Sequence, residues 1–249
     1  MRWCGLCAVG LLFVGAAPVR ADDQADAVKL VDAAIKAAGG ADKLKKLDTV
    51  SFKGKGKATH DGKEADVACD VSAKGQDRVR LQLEINENGK TESPLVVING
   101  DQAWIKDEAK VPEEIFTALK AEFRALRLTQ MLTPLKDKAV KLSPLGESKI
   151  NGRAAQGVKV VQENKHDLEI FFDKETHLPV KCELRIKFEM DKEVTTTWLF
   201  SDAKAVEGVK HPMMVKLEVE IDNKKVVLEL ALSDIKPGAK LEDNTFDKP

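Results

Sequence analysis

From Thr49 almost to its end, the sequence alternates apolar and polar residues with a period of two, segment after segment. That period sends successive side chains to opposite faces of a strand, so a chain built this way forms a sheet with one dry face and one wet face. Asp77 to Asn86 is the clearest case, with Val79, Leu81, Leu83 and Ile85 on one side and Arg78, Arg80, Gln82 and Glu84 on the other. Val67, Cys69 and Val71 repeat the pattern. So do Cys182, Leu184, Ile186 and Phe188 opposite Lys181, Glu183, Arg185 and Lys187, and Leu217, Val219 and Ile221 opposite Lys216, Glu218 and Glu220. Of the 249 residues 33% are charged, 40 basic against 41 acidic, with the signs interspersed. This excludes the broad basic face that nucleic acid needs, and it leaves no acidic tract that would read as a disordered tail.

The alternation divides into strands at short turns. Asp61-Gly62 and Asn99-Gly100 suit hairpins, as do Asn151-Gly152, Asp173 to Thr176 and Asp222-Asn223. Strands are expected at Thr49 to His60, Glu64 to Ala73, Asp77 to Asn86, Leu95 to Ile98, Gln102 to Lys106, Lys138 to Leu142, Ala154 to Gln162, Leu168 to Phe172, Val180 to Phe188, Val194 to Ala205, Met213 to Ile221 and Lys225 to Ile235. In the first of these, Gly54, Gly56 and Ala58 lie opposite Lys53, Lys55 and Lys57. Such a strand packs weakly unless something lies close against its glycine face.

Two segments have helical spacing instead. Val28, Val31, Ile35 and Ala38 follow a cap at Asp22 or Asp23 and end at Gly39-Gly40. Pro112, Glu113 and Glu114 open a second helix with Ile115, Leu119, Phe123, Leu126 and Gln130 about one face, and Pro134 closes it. With no Pro- or Ser-rich linker between these elements, residues 22–249 read as a single domain. A sheet of about a dozen strands tends to curl, and its apolar face then encloses a central space beside the helices.

The first 21 residues read as a signal peptide: Arg2, then an uncharged run from Gly5 to Ala17, then Val19-Arg20-Ala21 before Asp22. Cleavage is expected after Ala21. The run is too short for a comfortable membrane span, and no later run approaches that length. Losing Arg2 and Arg20 takes the formal charge from −1 to about −3. Cys4 and Cys7 belong to this segment, so their CxxC spacing is not a redox or metal motif. Cys69 and Cys182 remain, each on a core-facing strand side, and either two unpaired thiols or a bridge fits.

Catalytic motifs are missing. His60, His166, His177 and His211 are scattered without HExxH spacing, and His60 and His177 border turns where polar residues are ordinary. There is no GxSxG elbow, and Lys53 to Lys57 lacks phosphate-loop spacing. The expectation is a protein that is not an enzyme and carries no cofactor and no metal. Aromatic residues make up only 5%, with no Tyr, so the inward positions are mostly aliphatic. Trp104, Phe116, Leu119, Phe123, Phe172, Trp198 and Met213, with Met214, are the side chains best suited to line a pocket for an elongated apolar ligand.

Several phrases, in order, carry a resemblance. They are Ala37-Ala38-Gly39-Gly40 running into Lys43 to Leu47, Val97 to Trp104, Phe171 to Val180, Val206 to Pro212, and Asn244 to Pro249. The chain resembles the LolA-like superfamily of periplasmic lipoprotein and lipid carriers, including proteins labelled outer membrane lipoprotein-sorting protein. The resemblance implies a mainly β (α+β) fold, a strongly curved antiparallel half-barrel with covering helices, acting as a monomer in the periplasm. The function it implies is a non-enzymatic carrier or sensor for lipid or lipoprotein acyl chains. The alternative is a cell-envelope interaction module with a filled core and a protein partner.

Overall fold

The computed structural model describes residues 21–107, 111–187, 193–221 and 224–249. The expected signal peptide, residues 1–21, lies outside these residues as far as Arg20, with Cys4 and Cys7, as do Phe188 and the Asp222-Asn223 turn.

Helix α1 (Ala21–Ala37) and a short helix α2 (Ala41–Leu44) lead through a 3-10 turn into the sheet. The strands are β1 (Thr49–His60), β2 (Lys63–Lys74), β3 (Arg78–Glu87), β4 (Lys90–Glu92), β5 (Leu95–Asn99) and β6 (Gln102–Ile105). Helix α3 (Glu113–Met131) follows. Then come β7 (Val140–Ile150), β8 (Arg153–Gln162), β9 (Leu168–Asp173), β10 (Pro179–Lys187), β11 (Glu193–Val206), β12 (Val209–Ile221) and β13 (Lys224–Pro237). All thirteen strands belong to one sheet, ordered β6-β5-β3-β2-β1-β13-β12-β11-β10-β9-β8-β7, with β4 paired to β3. Neighbours pair antiparallel, and the first strand meets the last near the middle, β1 against β13. The sheet does not close: β6 and β7 are its edges. This is the expected curved antiparallel half-barrel with helices.

The turn at the middle of the sheet depends on the glycine face of β1. A Cβ on Gly56 would stand 1.8 Å from the Glu229 carbonyl oxygen, and one on Gly54 would stand 2.8 Å from the Cys69 sulfur. These positions let β13 and β2 press close to β1 on its inner side, which supplies the close neighbour that a glycine strand needs.

The inner face carries the core. Val158, Val160, Leu168, Ile170, Phe172, Cys182, Leu184 and Ile186 are buried together with Ala27, Val31, Ala34 and Ile35 of α1 and Ala125, Leu128 and Met131 of α3. Helix α1 packs on β7 and α3 on β10. The Gln24 side chain accepts a hydrogen bond from the Leu142 N–H at 2.7 Å. The outer face carries the charges, tied in pairs such as Lys181–Glu183 at 2.6 Å and Lys225–Glu218 at 2.9 Å.

Three elements differ from expectation. Strand β7 runs on to Ile150 through Pro144 and Gly146, which read as breakers; β7 is an edge strand, where a missing N–H costs no ladder bond, and the register shifts between the two. Strand β12 starts at Val209, with Pro212 opposite Ala203 beyond the bend at Asp202, whose φ is 53°. Strand β4 was not expected at all, because its residues are polar and exposed.

Candidate functional site

The inner face is sealed in one region and open in another. On β8, β9 and β10 the inward side chains are covered by α1 and by the C-terminal half of α3. On β12, β13, β1 and β3 the same face continues with Val215, Leu217 and Val219, Leu228, Phe52 and Ala58, and Leu81, Leu83 and Ile85, which are only partly buried beside the buried Val50, Val79, Leu230 and Leu232. An aliphatic face left half-exposed on this scale is a surface that something apolar can cover.

Helix α3 stands between the two regions and is itself divided. Its C-terminal half is buried, and Arg127, only 3% exposed, anchors it. The guanidinium donates to the carbonyls of Gly75 at 2.8 Å, Asp48 at 3.3 Å and Leu47, and to the Gln130 side-chain oxygen at 3.1 Å. The helix then stops where Leu132 takes a φ of 57° and donates its N–H to Leu128, before Pro134 is reached. The N-terminal half is more exposed, though Lys120 pairs with Asp101. Phe116, Leu119 and Phe123 are half-exposed, and Ile115 is 46% exposed.

At the seam lies Glu122. Its Oε2 accepts a hydrogen bond from Trp198 Nε1 at 2.8 Å, while Oε1 is buried without a partner. Burial pushes its pKa above the ordinary carboxylate range, with Thr196 and Trp198 opposing. In the sheet register Trp198 sits between buried Cys182 and half-exposed Leu217.

A separate cavity of about 570 Å³ lies where the turns after β7 and β9, the Asp202 bend of β11 and the start of β12 meet the C-terminal ends of α1 and α3. Leu132, Leu178 and Phe200 supply apolar walls, and Thr129, Asp173 and His211 supply polar ones. Asp173 is fully engaged. Burial would raise its pKa, but the Thr176 N–H and hydroxyl, Arg153 and the Glu175 N–H hold it below the ordinary value. His211 is 6% exposed, its Nε2 has no partner, and burial pushes its pKa down.

The structure places the expected pocket residues in different surroundings. Phe123 and Trp198 pack against the core beside the open face, and Phe116 and Leu119 lie on the same helix. Met213 shares the inner side of β12 with Val215, whereas Met214 points outward and is 39% exposed. Phe172 is sealed in the core at 2% exposure. Trp104 is on the outer face, packed on Leu95, Val97 and Phe246 beneath the C-terminal segment. None of these lines the 570 Å³ cavity.

Glu122 and His211 were not singled out from the sequence, although each had a signal. Glu122 falls at helical spacing between Leu119 and Leu126, inside the apolar stripe, and His211 alternates in step with Val209 and Met213. His60 and His177 are exposed at turns, as their positions implied. Cys69 and Cys182 are free and buried, and burial pushes both thiols up, Cys182 to about 12, which makes them poor nucleophiles. Among the described residues no group of three or more His, Cys, Asp or Glu could hold a metal, and no helix is long and apolar enough to cross a membrane.

No family model matches the chain, and no curated protein matches it in sequence. Solved structures do. A DUF1329 family protein from Desulfovibrio piger is 12% identical over 89% of this chain and 97% of its own, with a TM-score of 0.50. A LolA superfamily protein from Nitrosomonas europaea is 13% identical over 89% and 97%, with a TM-score of 0.48. A putative outer membrane lipoprotein-sorting protein domain from Vibrio parahaemolyticus is 12% identical over 87% and 97%, with a TM-score of 0.44. At such identities likeness extends to the fold alone, and it is the DUF1329 family structure, at a TM-score of 0.50, that carries it.

Proposed function

We propose that this protein is a non-enzymatic periplasmic carrier or sensor that shelters the acyl chains of a lipid or lipoprotein. The observation that carries this reading is the partly buried aliphatic face of β12, β13, β1 and β3 beside the more exposed N-terminal half of α3. Each methylene moved from water onto such a face contributes about 0.8 kcal/mol, so a chain of about a dozen carbons gains useful affinity with no charged contact. Val215, Leu217, Leu228, Leu81 and Leu83 form the floor, with Phe116, Leu119, Phe123, Trp198 and Met213 around them. The buried half of α3 is the fixed point, and the exposed half is the cover. The half-exposed floor also argues against an interaction module with a filled core.

The test is native mass spectrometry, with lipid extraction, on mature protein purified from a periplasm. Co-purified lipid or acylated peptide is expected. A clean apo mass, together with no binding of a fluorescent fatty acid, overturns the reading. Phe123→Asp should abolish fatty-acid binding while leaving the circular dichroism of the sheet intact. Global unfolding by this change would make the N-terminal half of α3 core and not cover.

A further inference from the structure

Glu122 is a carboxyl placed where an aliphatic side chain would satisfy the packing. It projects from α3 within the stripe that includes Leu119, Phe123 and Leu126, over the border between sealed and open floor. Trp198 Nε1 occupies one oxygen at 2.8 Å, and the other has no partner. The Thr196 hydroxyl is close by, but its hydrogen bond goes to the Leu184 carbonyl at 3.4 Å. No Lys or Arg pairs with Glu122 among the described residues. The other titratable group packed near it, the Cys182 thiol of β10, is neutral because burial holds its pKa at about 12. Lys181 and Glu183 point to the outer face, where they pair with each other.

A buried carboxyl with no cation beside it favours the neutral acid, and the direction of its pKa agrees. When Glu122 is protonated, Oε2 accepts from Trp198 and the proton sits on Oε1, the oxygen that has no partner in this structure. Buried donors are nearly always satisfied, so an unsatisfied one at the rim of an apolar floor points to an acceptor that arrives with the occupant. An acyl chain brings one such acceptor: the carbonyl oxygen of its ester or amide head, next to the first methylene.

We propose that Glu122 is a specificity residue that donates Oε1–H to the ester or amide carbonyl of a bound acyl group while the chain lies along Leu217, Leu228 and Leu83. This rests on the acyl-carrier reading above. Because Oε1 is covered in this structure, the carbonyl reaches it when the N-terminal half of α3 lifts, so recognition and opening occur together.

The experiment compares two phospholipids with the same headgroup and chain length, one diester and one diether, each displacing a fluorescent fatty acid from the full mature chain. The diester should bind about five-fold more tightly, as one neutral hydrogen bond allows. Glu122→Leu should bring the two lipids level, and Glu122→Gln, whose amide can still accept from Trp198 and donate to a carbonyl, should keep most of the preference. Equal binding of both lipids to the wild type overturns the proposal while leaving the carrier reading standing, as does a preference that survives Glu122→Leu. Failure of both lipids to bind overturns the carrier reading and this proposal with it. If Glu122→Leu does not fold, the wild-type comparison and Glu122→Gln still decide.

Discussion

Strands β8–β10 and strands β12, β13, β1 and β3 share one inner face and one alternating pattern, yet the first group is sealed and the second is half open. Leu184 on β10 is 1% exposed; Leu217 on β12 has the same neighbours in sequence style, polar residues on either side, and remains partly in contact with solvent. What separates them is what lies above. Helix α1 packs on β7 and the buried half of α3 on β10, whereas nearer β1 burial is partial: Val50, Leu230 and Leu232 are buried, but Leu217, Leu228, Leu81 and Leu83 are not. Period two specifies which side chains face inward. It does not specify whether the inside is full.

The largest test of this contrast is Arg127. Replacing it with Met keeps the bulk of the stem but leaves the carbonyls of Leu47 and Gly75 without the guanidinium donor, and unsatisfied buried groups cost about 1–3 kcal/mol each. A loss of roughly 3 kcal/mol or more in urea unfolding is expected. A loss below about 1 kcal/mol would mean that α3 is not pinned there.

Next comes the matched pair Leu184→Ala and Leu217→Ala. A sealed leucine replaced by alanine leaves a cavity and costs roughly 3 kcal/mol, whereas a half-exposed one costs about 1 kcal/mol. Fatty-acid affinity should move the other way, weakened by Leu217→Ala and little changed by Leu184→Ala in protein that remains folded. Equal stability losses would erase the distinction between the two regions.

The smallest effect is a slope with pH. Asp173, on the sealed side, has its folded pKa held below the unfolded value, so its contribution is present above the unfolded pKa and lost as pH falls through the folded one. Glu122, at the seam, is shifted upward; its contribution is present below its unfolded pKa and lost as pH rises through the folded one. Asp173→Asn should therefore flatten the acid limb of the urea midpoint between about pH 2 and 5 by about 1 kcal/mol, and Glu122→Gln should flatten the limb above it. Unchanged slopes in both variants would remove the electrostatic difference between the regions.

Much of the architecture was legible because the two periods differ so plainly. The helix from Pro112 to Met131, the inward sets on β2, β3 and β10, and the charged outer face all follow from them. Leu95 to Ile98 was legible as a strand, but not which of its residues face inward, because it is apolar on both sides. Val96 and Ile98 face inward, whereas Leu95 and Val97 are covered from outside by Phe246, and Trp104 goes with the latter pair. The extension of β7 was hidden because Pro and Gly are tolerated at an edge that sequence cannot identify as one. The open region, and with it the role of Glu122, depends on where helices settle over a sheet of sequence-distant strands, which no local pattern records.

A half-barrel that stays open gives up the protection of closure, and β6 and β7 are left with unpaired ladder groups that could recruit a strand from another molecule. Here the edges differ in defence. Strand β6 is only four residues long, and β7 carries Pro144, a register shift at Gly146 and the exposed charges of Lys141, Glu147 and Lys149. Irregularities that look like defects in a strand thus act as guards against polymerisation while the sheet stays unclosed.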